Sequence, residues 1–110
     1  MMQGEFTWAD ELDCAVTVCD LEGVVVYQNQ HSIEVNGDVR GESMIPCHNT
    51  HSQAIIHRLM TEGGKNVYTI SKRGVKKIIY QTPWRKAGKI SGLVEFSMEI
   101  PEQLPHYVRK

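Results

Sequence analysis

The chain has 110 residues, 41% hydrophobic and 23% charged, the balance of a single globular domain rather than of a disordered or low-complexity polypeptide. No window approaches the ~20 apolar residues of a membrane helix, and three cysteines, Cys14, Cys19 and Cys47, are an odd count unlike the framework of a disulfide scaffold. The formal net charge of -1 conceals an asymmetry: nine of the thirteen acids lie in residues 1–42, and eight of the twelve Lys and Arg lie between Lys65 and Lys89.

Residues 1–11 read as an N-terminal segment. Phe6 and Trp8, with Leu12 just beyond, lie there in an acidic context and are expected to pack on the domain or across a dimer partner. The acidic start carries no apolar run of signal-peptide length, so a cytoplasmic location is expected and no membrane contact. Next, "DCAVTVCD" and "GVVVYQNQ" are short runs rich in Val, Thr and Tyr, separated by "LEG", where Gly23 allows a tight reversal. They form a predicted β-hairpin, with Cys14 and Cys19 on opposite faces of its first strand. Residues 31–50 are polar and punctuated by Gly37, Gly41 and Pro46, which predicts short helical turns and loops.

From Thr50 the pattern is helical. Thr50 and Gln53 have the spacing of a capping box; Ile55, Ile56, Leu59 and Met60 form an apolar stripe, and His57 falls on the wet side. The "EGG" at Glu62 to Gly64 ends the helix. Beyond it the period becomes two. "NVYTIS" and "KKIIYQTPW" read as strands joined by a turn at Gly74, with Ile78, Tyr80 and Thr82 on one face and Pro83 at the end of regular pairing or at an edge. A further turn leads to "KISGLVEFSMEI", where Ile90, Gly92, Val94, Phe96 and Met98 alternate with Ser91, Glu95, Ser97 and Glu99, and Leu93 is the exception. The first set is expected in the core and the second mostly in water. Residues 12–101 form the expected domain, and 102–110 a tail. Lys and Arg fall at predicted strand ends, the usual decoration of exposed hairpins, and no nucleic-acid partner is expected.

The expected fold class is therefore α+β: a five-stranded antiparallel sheet with short helices packed on one face. This order of elements, with "AVTVCDLEGVVVYQNQ", the "D-x-x-G" turn at Asp20 to Gly23, Gly41 and the helix from Thr50, resembles the PAS domain family. "CHNTHS" is similar to a segment of small stand-alone bacterial PAS-like sensors. The resemblance implies a small-molecule cup between sheet and helices, frequent homodimerisation and output through a partner protein. Within it, Tyr80, Thr82 and Phe96 are expected to line the cup, together with Cys47, His48 and His51. Tyr27, Asn29 and Gln81 face either solvent or a ligand.

The run "PCHNTHSQAIIH" holds one cysteine and three of the five histidines. Cys47, His48 and His51 carry donors suited to zinc, and a histidine there suits haem, so a metal- or haem-dependent redox sensor is the alternative function. Covalent haem attachment would need a cysteine where Met44 stands. A flavin photosensor fits poorly, because Cys47 is followed by "HNTHSQ" rather than by the Arg and Gln partners of that motif. A thiol ahead of a helix N-terminus is also a candidate reactive cysteine. No nucleophile, base and orienter fall into a readable catalytic set, and no enzyme is expected.

Overall fold

The computed structural model describes residues 7–44 and 50–110. After a short 3-10 turn, Thr7–Ala9, the elements run β1 (Ala15–Asp20), β2 (Val25–Gln28), α1 (Gln30–Asn36), α2 (Thr50–Glu62), β3 (Asn66–Lys72), β4 (Val75–Lys86) and β5 (Lys89–Glu99). The strands form one antiparallel sheet in the order β2-β1-β5-β4-β3. This is the expected α+β class, and it puts the first and last strands side by side at the centre.

Local chemistry accounts for the boundaries. The β1–β2 reversal is held by Asp20, whose Oδ1 accepts from the amides of Glu22 and Val24, while Gly23 takes φ 83°. The turn after β3 places Arg73 and Gly74 at φ 54° and 78°, and the turn after β4 places Ala87 and Gly88 at 52° and 78°. Two consecutive left-handed residues match the twist of a tight hairpin. Helix α2 stops where Gly63, at φ 88°, donates its amide to the Leu59 carbonyl. Thr50 is already helical, so it is not itself the cap of the expected capping box. The eight basic residues from Lys65 to Lys89 lie at or near the ends of β3, β4 and β5.

Both faces of the central strands are covered. Cys19 and Leu93 pack with Ile56 and Leu59 of α2, flanked by Ile55, Met60 and Met44. Opposite, Val16, Val18 and Tyr27 pack with Ala9, flanked by Trp84, Val94 and Phe96. Leu93 is thus core, not an exception. In the N-terminal segment the buried residue is Ala9, whereas Trp8 is 63% exposed and Leu12 is also exposed. Phe6 lies outside the described residues.

Of two expectations about strands, the edge alternative for Pro83 holds and the alternation of β5 changes. Pro83 does not end β4, which stays paired to β5 out to Lys86. Strand β3 begins at Asn66, opposite Gln81, so from Thr82 onward one side of β4 is a local edge and tolerates a residue without an N–H. In β5, the register shifts between Trp84 and Arg85, so Gly92 pairs with Trp84 but Ile90 with Arg85. Such a bulge reverses the alternation. It turns Ile90 toward the end of α2, where its Cδ1 would lie 4.0 Å from a Cβ on Gly63.

Candidate functional site: a polar row beneath two helices

Helix α1 is fastened by one side chain. Asn29 is 1% exposed and N-caps the helix, its Oδ1 accepting from the Ser32 and Val16 amides at 2.9 Å each. Its Nδ2 donates to the carbonyls of Ala9 and Cys14. Asn29 is therefore structural, tying α1, β1 and the N-terminal segment together. Tyr27 has a similar part: its hydroxyl donates to Asp10 at 2.5 Å, and burial, followed by that contact, pushes its pKa up.

Beneath the helices, one transverse row of side chains crosses all five strands: Gln28, Thr17, Glu95, Gln81 and Asn66 are successive cross-strand partners. Every member is polar, and the row lies on the face that carries Cys19, Leu93 and the helices. Hydrogen bonds run inward from both ends. From β3, Asn66 Nδ2 donates to Gln81 Oε1 at 3.1 Å, and Gln81 Nε2 donates to Glu95 Oε1 at 2.8 Å. Gln81 is 2% exposed and gives its buried amide to this relay.

From β2, Gln28 Nε2 donates to Ser32 Oγ at 3.0 Å and to the Gly37 carbonyl, while its Oε1 accepts from the Val39 amide. Ser32 Oγ also lies 3.4 Å from Asn36 Nδ2 and 2.7 Å from Thr17 Oγ1. Ser32 is fully buried. Either hydroxyl of the Ser32–Thr17 pair can donate to the other.

Thr17 and Glu95 line one hollow of about 330 Å³ between sheet and loop, walled by Val25, Val39 and Met44. A second hollow of about 150 Å³ shares Glu95 and Asn36 and opens toward Tyr68, Ile70 and Ile79. Burial, and secondarily the Glu95 charge, raise the Tyr68 pKa. Cys19, on the same face, has its thiol pushed up from 9.0 to about 11, chiefly by burial.

The sequence-derived site residues are distributed differently. Tyr80 pairs with Phe96, Thr82 with Val94, and Val16 with Phe96. All three expected cup residues, Tyr80, Thr82 and Phe96, therefore lie on the face away from the helices; the reason is that this apolar face packs against the N-terminal segment, not against a ligand hollow. The face expected to be mostly wet, with Glu95 and Ser97, is the one beneath the helices. Cys47 and His48 lie outside the described residues, and His51 is exposed on the first turn of α2, as is His57 further along. Among the described residues no group of three His, Cys, Asp or Glu is placed to hold a metal ion, and no histidine lines either hollow.

No protein-family model matches the sequence, and no curated protein matches it. Solved structures do match. Vibrio cholerae VqmA is 20% identical with a TM-score of 0.70, covering 100% of this chain and 58% of its own. The PAS domain of Bordetella pertussis BvgS is 16% identical with a TM-score of 0.65, covering 93% of this chain and 88% of its own. The fold is PAS-like. A third match, the Vibrio cholerae Aer2 receptor, a dual PAS-haem oxygen sensor, is 14% identical with a TM-score of 0.63 over 80% of this chain and 95% of its own. The PAS-like chain spans little more than half the length of VqmA. No helix among its described residues is long and apolar enough to cross a membrane.

Proposed function

We propose that this PAS-like domain is a sensory module that binds a compact small molecule between sheet and helices and passes its state to a partner protein through association. The observation that carries the reading is the hollow of about 330 Å³ floored by Thr17 and Glu95. Apolar walls and a few convergent polar groups are the usual composition of a ligand site. A cavity of about 150 Å³ is enough for a benzene ring, so the larger hollow has room for one substituted ring.

Structural neighbours support the class of function. VqmA has been solved bound to DPO, and it is described as a dimer with a target DNA; BvgS supplies a PAS domain and Aer2 a dual PAS-haem oxygen sensor. In this reading residues 12–101 are the sensor, 1–11 and 102–110 flank it, and the working form is a cytoplasmic homodimer. Leu104, Tyr107 and Val108 in the C-terminal flank are highly exposed apolar side chains, suited to contact with the output partner.

Native mass spectrometry of protein purified without denaturation tests both parts. The expected spectrum shows a dimer and, on each subunit, a retained mass of a few hundred daltons or uptake of an added small molecule. A bare monomer that takes up nothing from a fragment mixture would overturn the proposal.

A further inference from the structure

Strand β3 is an outer strand of the sheet, paired on one side to β4, and its turn fixes which main-chain groups are left over. Arg73 and Gly74, both left-handed, form a two-residue loop closed by Lys72 and Val75. The closing pair of such a hairpin exchanges both main-chain hydrogen bonds. Alternation then turns the amides and carbonyls of Ile70, Tyr68 and Asn66 toward β4, and those of Val67, Thr69 and Ser71 away from the sheet. Nothing in the main chain of the described residues takes them.

The strand is built to be paired. It is seven residues long, with neither a proline nor a bulge, and its side chains from Val67 to Lys72 are exposed. Tyr68 and Ile70 present apolar surface on the helix side, where they border the hollow of about 150 Å³. Of the devices that blunt an edge, it has basic residues alone. Residues 65–77 hold Lys65, Lys72, Arg73, Lys76 and Lys77 and no acid, and none of these makes an ion pair among the described residues.

Resting on the reading that output passes to a partner protein, we propose that the free edge of β3 is where the partner docks, adding an extended acidic segment as a further strand. Such a strand accepts from the amides of Val67, Thr69 and Ser71 and donates to their carbonyls. Its apolar residues lie beside Tyr68 and Ile70, and its carboxylates face the bases at either end. Charge decides against a second copy, which would bring the same acid-free basic stretch alongside; lysines on an edge guard against that pairing. A nucleic acid would satisfy the charge, but its phosphates offer no donor to the outward carbonyls.

The test is NMR titration of the whole chain with a peptide of the length of β3, acetyl-Glu-Val-Thr-Val-Thr-Val-Glu-amide. Three further probes are its counterpart with Lys in place of both Glu, an acidic version N-methylated at its central residues, and a short DNA duplex. The expected result is that the acidic peptide binds, shifts the amides of Val67, Thr69 and Ser71, and loses affinity as salt is added. N-methylation should weaken it by roughly tenfold or more, since it removes the donors to the outward carbonyls. Thr69→Pro should do the same: it deletes an outward N–H and places a ring in the path of the incoming strand, at a position where the β4 ladder uses no donor. Far-UV circular dichroism verifies that this variant is folded, and the N-methylated peptide needs no variant.

The Lys or the N-methylated peptide binding as tightly as the acidic one would overturn the proposal. So would the same three amides shifting with DNA as strongly as with the acidic peptide, or with protein concentration alone, the mark of a second copy. Shifts confined to Leu104, Tyr107 and Val108 overturn the edge and leave association with a partner standing at the C-terminal flank. If no peptide binds, the edge site falls, while the native mass spectrum judges the sensory reading separately.

Discussion

The indole Nε1 of Trp84 on β4 donates to the main-chain carbonyl of Cys19 on β1 at 3.0 Å, reaching over the intervening strand β5 at Gly92. A Cβ at Gly92 would lie 1.9 Å from the Cys19 oxygen and 2.6 Å from the indole nitrogen, and φ there is +156°. The bond exists because position 92 has no side chain.

Gly92→Ala is therefore expected to displace the indole and destabilise the domain by about 3 kcal/mol, the range of overpacking combined with backbone strain. Urea denaturation gives the loss, and Trp fluorescence reports the changed environment of Trp84. A change below about 0.5 kcal/mol, the level of an ordinary surface substitution, would contradict it.

Asn29→Ala removes a side chain that serves four backbone groups. Leaving the Val16 and Ser32 amides without that acceptor should cost about 3 kcal/mol, with hydrogen exchange at Val16 accelerated more than at β3. Asn29→Asp keeps the acceptor and loses both donors, so it should fall between the two.

Alkaline pH should weaken the fold. Burial raises the Cys19 thiol from 9.0 to about 11, so the folded chain holds a proton that the unfolded chain releases first. The stabilisation is complete below pH 9 and is lost as pH rises toward 11, to the order of 2 kcal/mol. Tyr27, raised in the same direction, extends the decline to higher pH. Denaturation midpoints from pH 7 to 11 check this: Cys19→Ala should flatten the slope between 9 and 11, whatever its effect at pH 7.

The two faces of β4 separate ligand binding from packing. Tyr80→Phe and Thr82→Ala should leave the affinity for a small molecule held in the hollow within about twofold, since neither residue lines it. Gln81→Leu removes the donor that orients Glu95 and should weaken it by roughly tenfold. Equal effects from both faces in titrations would show that the register assigns the faces wrongly.

Much of the fold was legible because its signals are local: the Asp20–Gly23 turn, the stripe from Ile55 to Met60 and the glycine stop after α2 each lie within a few residues. Faces were harder. The alternation of Val94 and Phe96 with Glu95 and Ser97 says that the sides of β5 differ, but not which side the helices cover. One clue was present in "AVTVC", apolar on both faces of β1, as a strand covered twice requires. The polar row was illegible for a geometric reason. It runs perpendicular to the chain, and its members, from Thr17 to Glu95, become neighbours only through register. Ile90 was misplaced because a bulge leaves no regular mark in the alternation it interrupts.

The adjacency of β1 and β5 also governs when the domain is able to form. During synthesis the β1–β2 and β3–β4 ribbons emerge as separate hairpins, and nothing joins them until the last strand leaves the ribosome. Loop-closure entropy over most of the chain must be overcome before that central pairing rewards it. A nascent chain ending at Gly88 holds four of the five strands yet no continuous sheet, so the sheet closes only once β5 has emerged.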